Sequence, residues 1–187
     1  MIATRAVTYM ESESGQCSSR ASFTLVELVV ALAVIGVLAA LLMPALASAR
    51  RKADSVRCVS NLHQLGVAVR LYADENEGRL PRAGAFAQTG TNAAGALPGI
   101  QEVFSPQLRG ARAVFKCPAD KNRLFVSEGS SYEWNDSLNG RILYRIGQDR
   151  SGEESTRTFL LRDREGWHPR GRKNAVFADG HAGPENL

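Results

Sequence analysis

The chain lacks the short motifs that announce most enzymes. There is no Gly-x-Ser-x-Gly elbow, no phosphate-binding Gly-x-x-x-x-Gly-Lys loop and no His-Glu-x-x-His. Histidine is scarce, with His63, His168 and His181 the only three, and His63 falls on a helical stretch without an acid or base partner in register. The three cysteines, Cys17, Cys58 and Cys117, form no Cys-x-x-Cys pair and fit no zinc spacing. A net charge of +4 is too small and too scattered for a nucleic-acid face. Arg50, Arg51, Lys52 and Arg57 form its one cluster, and no nucleic-acid motif accompanies them. They read as a solvated or headgroup-facing collar, and neither catalysis nor nucleic-acid binding is expected.

Charge is also missing altogether from Leu28 to Ala49. At the helical rise of about 1.5 Å per residue, that stretch spans the roughly 30 Å of a bilayer core. Phe23 to Leu46 holds fourteen Leu, Val, Ile and Phe residues. At about −0.3 to −0.6 kcal/mol each near mid-membrane, they outweigh one carboxylate, Glu27, near the end of the segment. Ala47-Ser-Ala49 has the small-x-small form of a signal-peptidase site, but the apolar segment exceeds the roughly 7–15 residues of a signal-peptide core.

Beyond Ala49, apolar residues recur at Val56, Val59, Leu62, Leu65, Val69 and Tyr72, with Arg57, Asn61, Gln64 and Arg70 between them. Steps of three and four make one face of an amphipathic helix. No Gly-Pro stop interrupts Ala45 to Tyr72, so one helix is expected from Phe23 to Asn76, kinked at Pro44. Gly78-Arg-Leu-Pro81 ends it, and residues 78–112 read as loop or linker. Residues 113–187 read as a small β-rich part, with strands expected at Ala113–Phe115, Arg141–Ile146, Thr158–Leu161 and Asn174–Ala178. The fold class expected is α+β, a long helix whose second half packs on a small antiparallel sheet. Asp179-Gly180 reads as a tight turn. Asp163, His168, Asp179 and His181 could instead converge as a metal or polar cluster, though one poorly suited to calcium, which prefers six to eight oxygen ligands and takes histidine badly.

The stretch Ser22-Phe-Thr-Leu-Val-Glu27, followed by the apolar run to Leu38 and by Pro44, resembles the prepilin-type amino terminus of type IV pilins and type II secretion pseudopilins. Further residues resemble a bacterial pseudopilin-like subgroup. They are Cys58 to Gly66, Tyr72, Cys117-Pro-Ala-Asp120, Ser131-Tyr132, and His168 followed by Asn174-Ala-Val-Phe-Ala-Asp-Gly-His181. Ten residues separate His168 from Asp179, one more than that subgroup's spacing.

The resemblance implies that residues 1–22 form a leader and that a prepilin peptidase cuts between Ser22 and Phe23 and methylates the Phe23 amine. Ser22 stands where that family normally has Gly. It further implies residence in the bacterial inner membrane as a single-pass protein, with residues 23–49 the membrane and assembly helix and 50–77 its amphipathic continuation. The soluble part would be periplasmic. Partners would be other pilin or pseudopilin subunits, and an assembly platform with its ATPase would drive assembly into a filament or pseudopilus. In that setting Glu27 pairs with the Phe23 amine of its own or a neighbouring chain. Ala31, Ala33, Gly36, Ala39 and Ala40 allow helices to approach closely.

Removal of Cys17 with the leader would leave an even cysteine count, and Cys58 and Cys117 are then expected as a disulfide outside the cytoplasm. Flanking charge alone, with Arg20 before the span and the Arg50 cluster after it, favours a cytoplasmic soluble part. The resemblance is followed because the processing site must face the cytoplasm. The competing class is a membrane-anchored periplasmic binding protein or enzyme that uses the segment only for targeting.

Overall fold

The structure is a computed structural model, and it describes residues 24–85, 97–148 and 154–185. Phe23 and the expected leader, residues 1–22 with Cys17 and Ser22 among them, lie outside the described residues. The chain divides into two compact units, one ending at Met43 and the other beginning at Pro44.

Helix α1 runs from Leu25 to Glu75, with Pro44 inside it. It continues unbroken through Ala47-Ser-Ala49, the would-be signal-peptidase site. The large apolar side chains from Leu25 to Leu46 are exposed, and none of the most apolar stretch is buried. Such a stripe is what a helix solvated by lipid presents.

The second half of α1 serves the folded unit. Cys58, Leu62, Leu65, Gly66, Ala68, Val69 and Ala73 are buried along one face. Tyr72 and Val59 are half-buried, whereas Val56, expected on that face, is 68% exposed. The buried face begins at Cys58, a residue whose tie to the sheet side sets the start of contact. The helix ends in a Schellman-type cap: Glu77 and Gly78 both have positive φ, and the Gly78 N–H donates to the Ala73 carbonyl at 2.7 Å.

Strands β1 (Tyr132–Trp134), β2 (Phe159–Asp163), β3 (Asn174–Phe177) and β4 (Ala182–Pro184) form one antiparallel sheet in chain order. Two rows of side chains alternate across it. Trp134, Leu161, Val176 and Ala182 are in register on one row, while Glu133, Arg162, Ala175 and Gly183 form the next and point to the other face. The first row joins Leu62, Leu65, Phe104, Phe115, Leu138 and Leu143 in the core. On the second row the small Ala175 and Gly183 leave room for Arg162, which pairs with Glu133 on one side and with Glu185 at 3.0 Å on the other. Arg162 also lies over the Phe159 ring, 4.3 Å from its centre.

Helix and sheet approach closely at Gly66. A Cβ built there would stand 2.6 Å from Val176 Cγ2, and the stiff β-branched side chain cannot swing away. Gly66→Ala is therefore expected to destabilise the folded unit by about 1–2 kcal/mol despite alanine's better helix propensity, with Val176→Ala restoring part of the loss. Chemical denaturation of the single and double variants measures this.

Two expected strands take another form. Ala113–Phe115 belongs to a 3-10 turn, Arg112–Phe115, and Arg141–Ile146 contributes one bridge at Ile142 before a 3-10 turn, Leu143–Arg145. In the latter the buried residues are Leu143 and Ile146, a spacing of three that suits a 3-10 turn and not a pleat. Residues 78–112 are not all linker: a short helix α2, Ile100–Phe104, buries Ile100 and Phe104 in the core. A second short helix, α3, covers Leu124–Glu128.

Candidate functional site

Two regions carry chemistry. At the start of α1, Thr24 and Glu27 form a reciprocal capping box. The Thr24 N–H donates to Glu27 Oε2 at 2.9 Å, the Thr24 hydroxyl donates to the same oxygen at 2.8 Å, and the Glu27 N–H donates back to Thr24 Oγ1 at 3.2 Å. An isolated helix start in lipid would leave these amides unsatisfied. Glu27 thus stabilises its own helix end, and its Oε1 takes no part in these bonds. The signal was present in the sequence, since Thr24-Leu-Val-Glu27 has the Thr-x-x-Glu form, but it lay inside a longer pattern that drew attention to Phe23.

The second region lies at the end of the sheet where β2 stops and β3 starts. Cys58 on α1 and Cys117 after the Arg112–Phe115 turn are joined by a disulfide, and both are fully buried. Asn61, one turn further along α1, donates to the Lys116 carbonyl at 2.9 Å, a second tie at the same place. The segment after Cys117 is folded around Asp120. Its carboxylate accepts from the Leu124 N–H at 3.1 Å, the Phe125 N–H at 2.9 Å and the Ser131 hydroxyl at 2.8 Å.

Against the disulfide sits a buried pair. His168 Nε2 is 3.0 Å from Asp163 Oδ2 and 3.6 Å from Cys117 Sγ, and the Asn174 N–H donates to Asp163 Oδ2 at 2.7 Å. Asp163 Oδ1 and His168 Nδ1 are buried without a hydrogen-bond partner among the described residues. Tyr132 faces Asp163 across β1 and β2. Burial drives its phenol well above the ordinary range, and the Asp163 and Asp120 carboxylates add to it; its hydroxyl has no hydrogen-bond partner among the described residues.

A tyrosine held neutral in the folded state stabilises fully below its unfolded pKa of about 10, and that contribution falls as pH rises beyond it, because only the unfolded chain then loses the proton. Between pH 10 and 11.5 the protein is expected to lose stability more steeply than Tyr132→Phe, the difference in slope rising from about 0.7 toward about 1.4 kcal/mol per pH unit. Urea titrations across that range check the difference in slope.

The four residues considered as one calcium-binding cluster do not converge. Asp163 and His168 lie by the disulfide, whereas Asp179 and His181 occupy the β3–β4 turn at the opposite end of β3. There the His181 N–H donates to Asp179 Oδ1 at 3.0 Å and its ring Nδ1 lies 2.6 Å from the same oxygen. Gly180 takes φ +93°, and Arg70 from α1 reaches the Asp179 carbonyl. Asp179-Gly180 is a turn pinned to the helix, with two imidazole and carboxylate pairs separated by the length of a strand. Such a separation cannot supply the six to eight oxygens that calcium takes. His63 is exposed on α1.

Residues 17–43 match the family model for the prokaryotic N-terminal methylation motif. No curated protein and no solved structure matches the chain. The motif, together with the exposed apolar helix that follows it, supports a pilin-like, membrane-assembled protein, and a structural subunit over an enzyme.

Proposed function

We propose that the chain is a subunit of a type IV pilus-like filament or type II secretion pseudopilus, held in the bacterial inner membrane by the first half of α1 and assembled through that helix. The observation that carries this reading is the coincidence of the methylation motif with a helix whose large apolar side chains from Leu25 to Leu46 are exposed and whose continuation forms the spine of a disulfide-tied domain. A prepilin peptidase cuts before Phe23, the new amine lies one turn from Glu27, and the two charges give a register to helices that apolar packing alone would let slide.

Small residues at Ala31, Ala33, Gly36 and Ala40 support close approach, and a Cβ at Gly36 would meet nothing within the chain. The soluble part stands in the periplasm, where the disulfide forms and persists. ATP enters through an assembly platform and its ATPase, not through this chain. Substitution of Glu27 tests the reading: a subunit needs that carboxylate to join its neighbours, whereas a periplasmic protein that uses the segment only as an anchor does not.

A further inference from the structure

The buried end of the sheet gathers more ligand chemistry than a disulfide needs. The sulfurs of Cys58 and Cys117, a carboxylate oxygen of Asp163 and a ring nitrogen of His168 all lie within 4.8 Å of one another, and all four residues are buried. Around a tetrahedral zinc ion, ligand atoms stand roughly 3.3–3.8 Å apart, given bonds of about 2.0–2.3 Å. Two thiolates, an imidazole and a carboxylate make a closed donor set of the kind structural zinc takes.

Two atoms are hard to explain by the disulfide alone. Asp163 Oδ1 and His168 Nδ1 have no hydrogen-bond partner among the described residues, and orphaned polar atoms in a buried site call for a water, an ion or a second chemical state. A buried carboxylate oxygen with no donor, on the residue whose other oxygen lies 3.0 Å from the His168 ring nitrogen, suits a cation. A pocket of about 460 Å³ borders the His168 side of the cluster, lined also by Ser55, Val59 and Asn174 and by the cationic Lys52 and Arg172.

We infer that, when Cys58 and Cys117 are reduced, these four side chains bind one thiophilic divalent cation of the zinc class, so that disulfide and metal are mutually exclusive states of one site. A newly made chain whose cysteines have not been oxidised needs no reductant to enter the metal state. Zinc displaces the two thiol protons to solvent, binds both thiolates, His168 Nε2 and Asp163, and leaves His168 Nδ1 as a donor toward the cavity. Exchange with the disulfide of an oxidising partner reverses this: the two thiolates pass two electrons to that disulfide, which leaves as two thiolates, the Cys58–Cys117 sulfur–sulfur bond forms, and the ion departs. The same two elements, α1 and the Cys117 segment, stay joined in either state.

The test uses the full chain in detergent micelles with Cys17→Ser, which removes the third thiol. A phosphine reductant gives two electrons to the disulfide and, with water, yields two thiols and the phosphine oxide. Zinc is then added and the excess removed by gel filtration. The reduced chain is expected to retain one zinc per molecule and the oxidised chain none, with Asp163→Asn and His168→Gln each weakening binding by about tenfold or more. Circular dichroism of the oxidised variants checks that they fold. Cobalt titration of the chain carrying only Cys17→Ser gives a readout that no ligand variant can spoil: strong visible bands with thiolate-to-cobalt charge transfer are expected. A weak octahedral spectrum, no retained zinc after reduction, or equal retention with the disulfide intact overturns the inference.

Discussion

Glu27→Ala is expected to leave the chain in the membrane while reducing its incorporation into a filament by an order of magnitude or more. Insertion does not depend on the carboxylate, since the apolar run from Leu28 to Ala49 supplies the driving force and removing a charge only favours lipid. On the proposed function, assembly does depend on it. On that reading a Phe23 ammonium freed by cleavage would need an anionic partner in lipid, and a neighbouring chain would offer one only at the register that brings Glu27 alongside.

The capping box sharpens this expectation, because the alanine variant also loses the bonds to Thr24. Thr24→Val separates the two effects: it removes the hydroxyl contacts and keeps the carboxylate. If Glu27 acts between chains, Thr24→Val assembles nearly as well as the parent. If Glu27 matters only as a cap, both variants lose assembly to a similar degree. Membrane fractionation reports insertion, and the subunit content of sheared filaments reports assembly.

The second large effect is expected at the disulfide. Cys58 and Cys117 are 59 residues apart in sequence, and closing such a loop removes unfolded-state entropy equivalent to about 4 kcal/mol at 25 °C on the chain-entropy account. Replacing both cysteines with serine is therefore expected to destabilise the folded unit by about 4 kcal/mol and lower its melting temperature by about 10 °C. That is a large share of the 5–15 kcal/mol a domain typically commands. The loss arises at the end of the sheet occupied by the buried polar residues Asp163, His168 and Asn174. Thermal unfolding followed by circular dichroism measures it. A shift of only a degree or two would mean that the Asn61 and Asp120 contacts hold this end without the covalent tie.

What the sequence disclosed follows the strength of its physical signals. The apolar run and the steps of three and four behind it announced α1, because each rests on many residues of consistent period. Asn174–Phe177 was legible for the same reason in small: its β-branched and aromatic residues lie between turn formers. Tyr132–Trp134 and Ala182–Pro184 escaped notice. The first is only three residues long, and the second is Ala-Gly-Pro, an edge strand defined by its pairing with β3 and by no propensity of its own. Residues 141–146 misled because Ile, Leu, Tyr and Ile resemble a strand by composition while their buried positions, 143 and 146, follow a turn.

The site was legible in pieces. Cys58, Cys117 to Asp120, Ser131-Tyr132, His168 and Asn174 stood scattered over more than a hundred positions, and the fold brings them to one end of the sheet. Their convergence depends on the β2–β3 register and on the depth at which α1 crosses, which Gly66 and Val176 set. Neither is visible in spacing. Asp179 and His181 were grouped with them by residue type alone, and the length of β3 keeps them apart.

The mass of the amino-terminal peptide of the chain recovered from a sheared filament or pseudopilus fraction tests the central claim most directly. A subunit assembled through its first helix is expected to begin at Phe23 with a methylated amine and to be present in that fraction in many copies. A chain that begins at Arg50, cut after Ala47-Ser-Ala49, or one found only as a lone membrane protein with residues 1–22 attached, would contradict it.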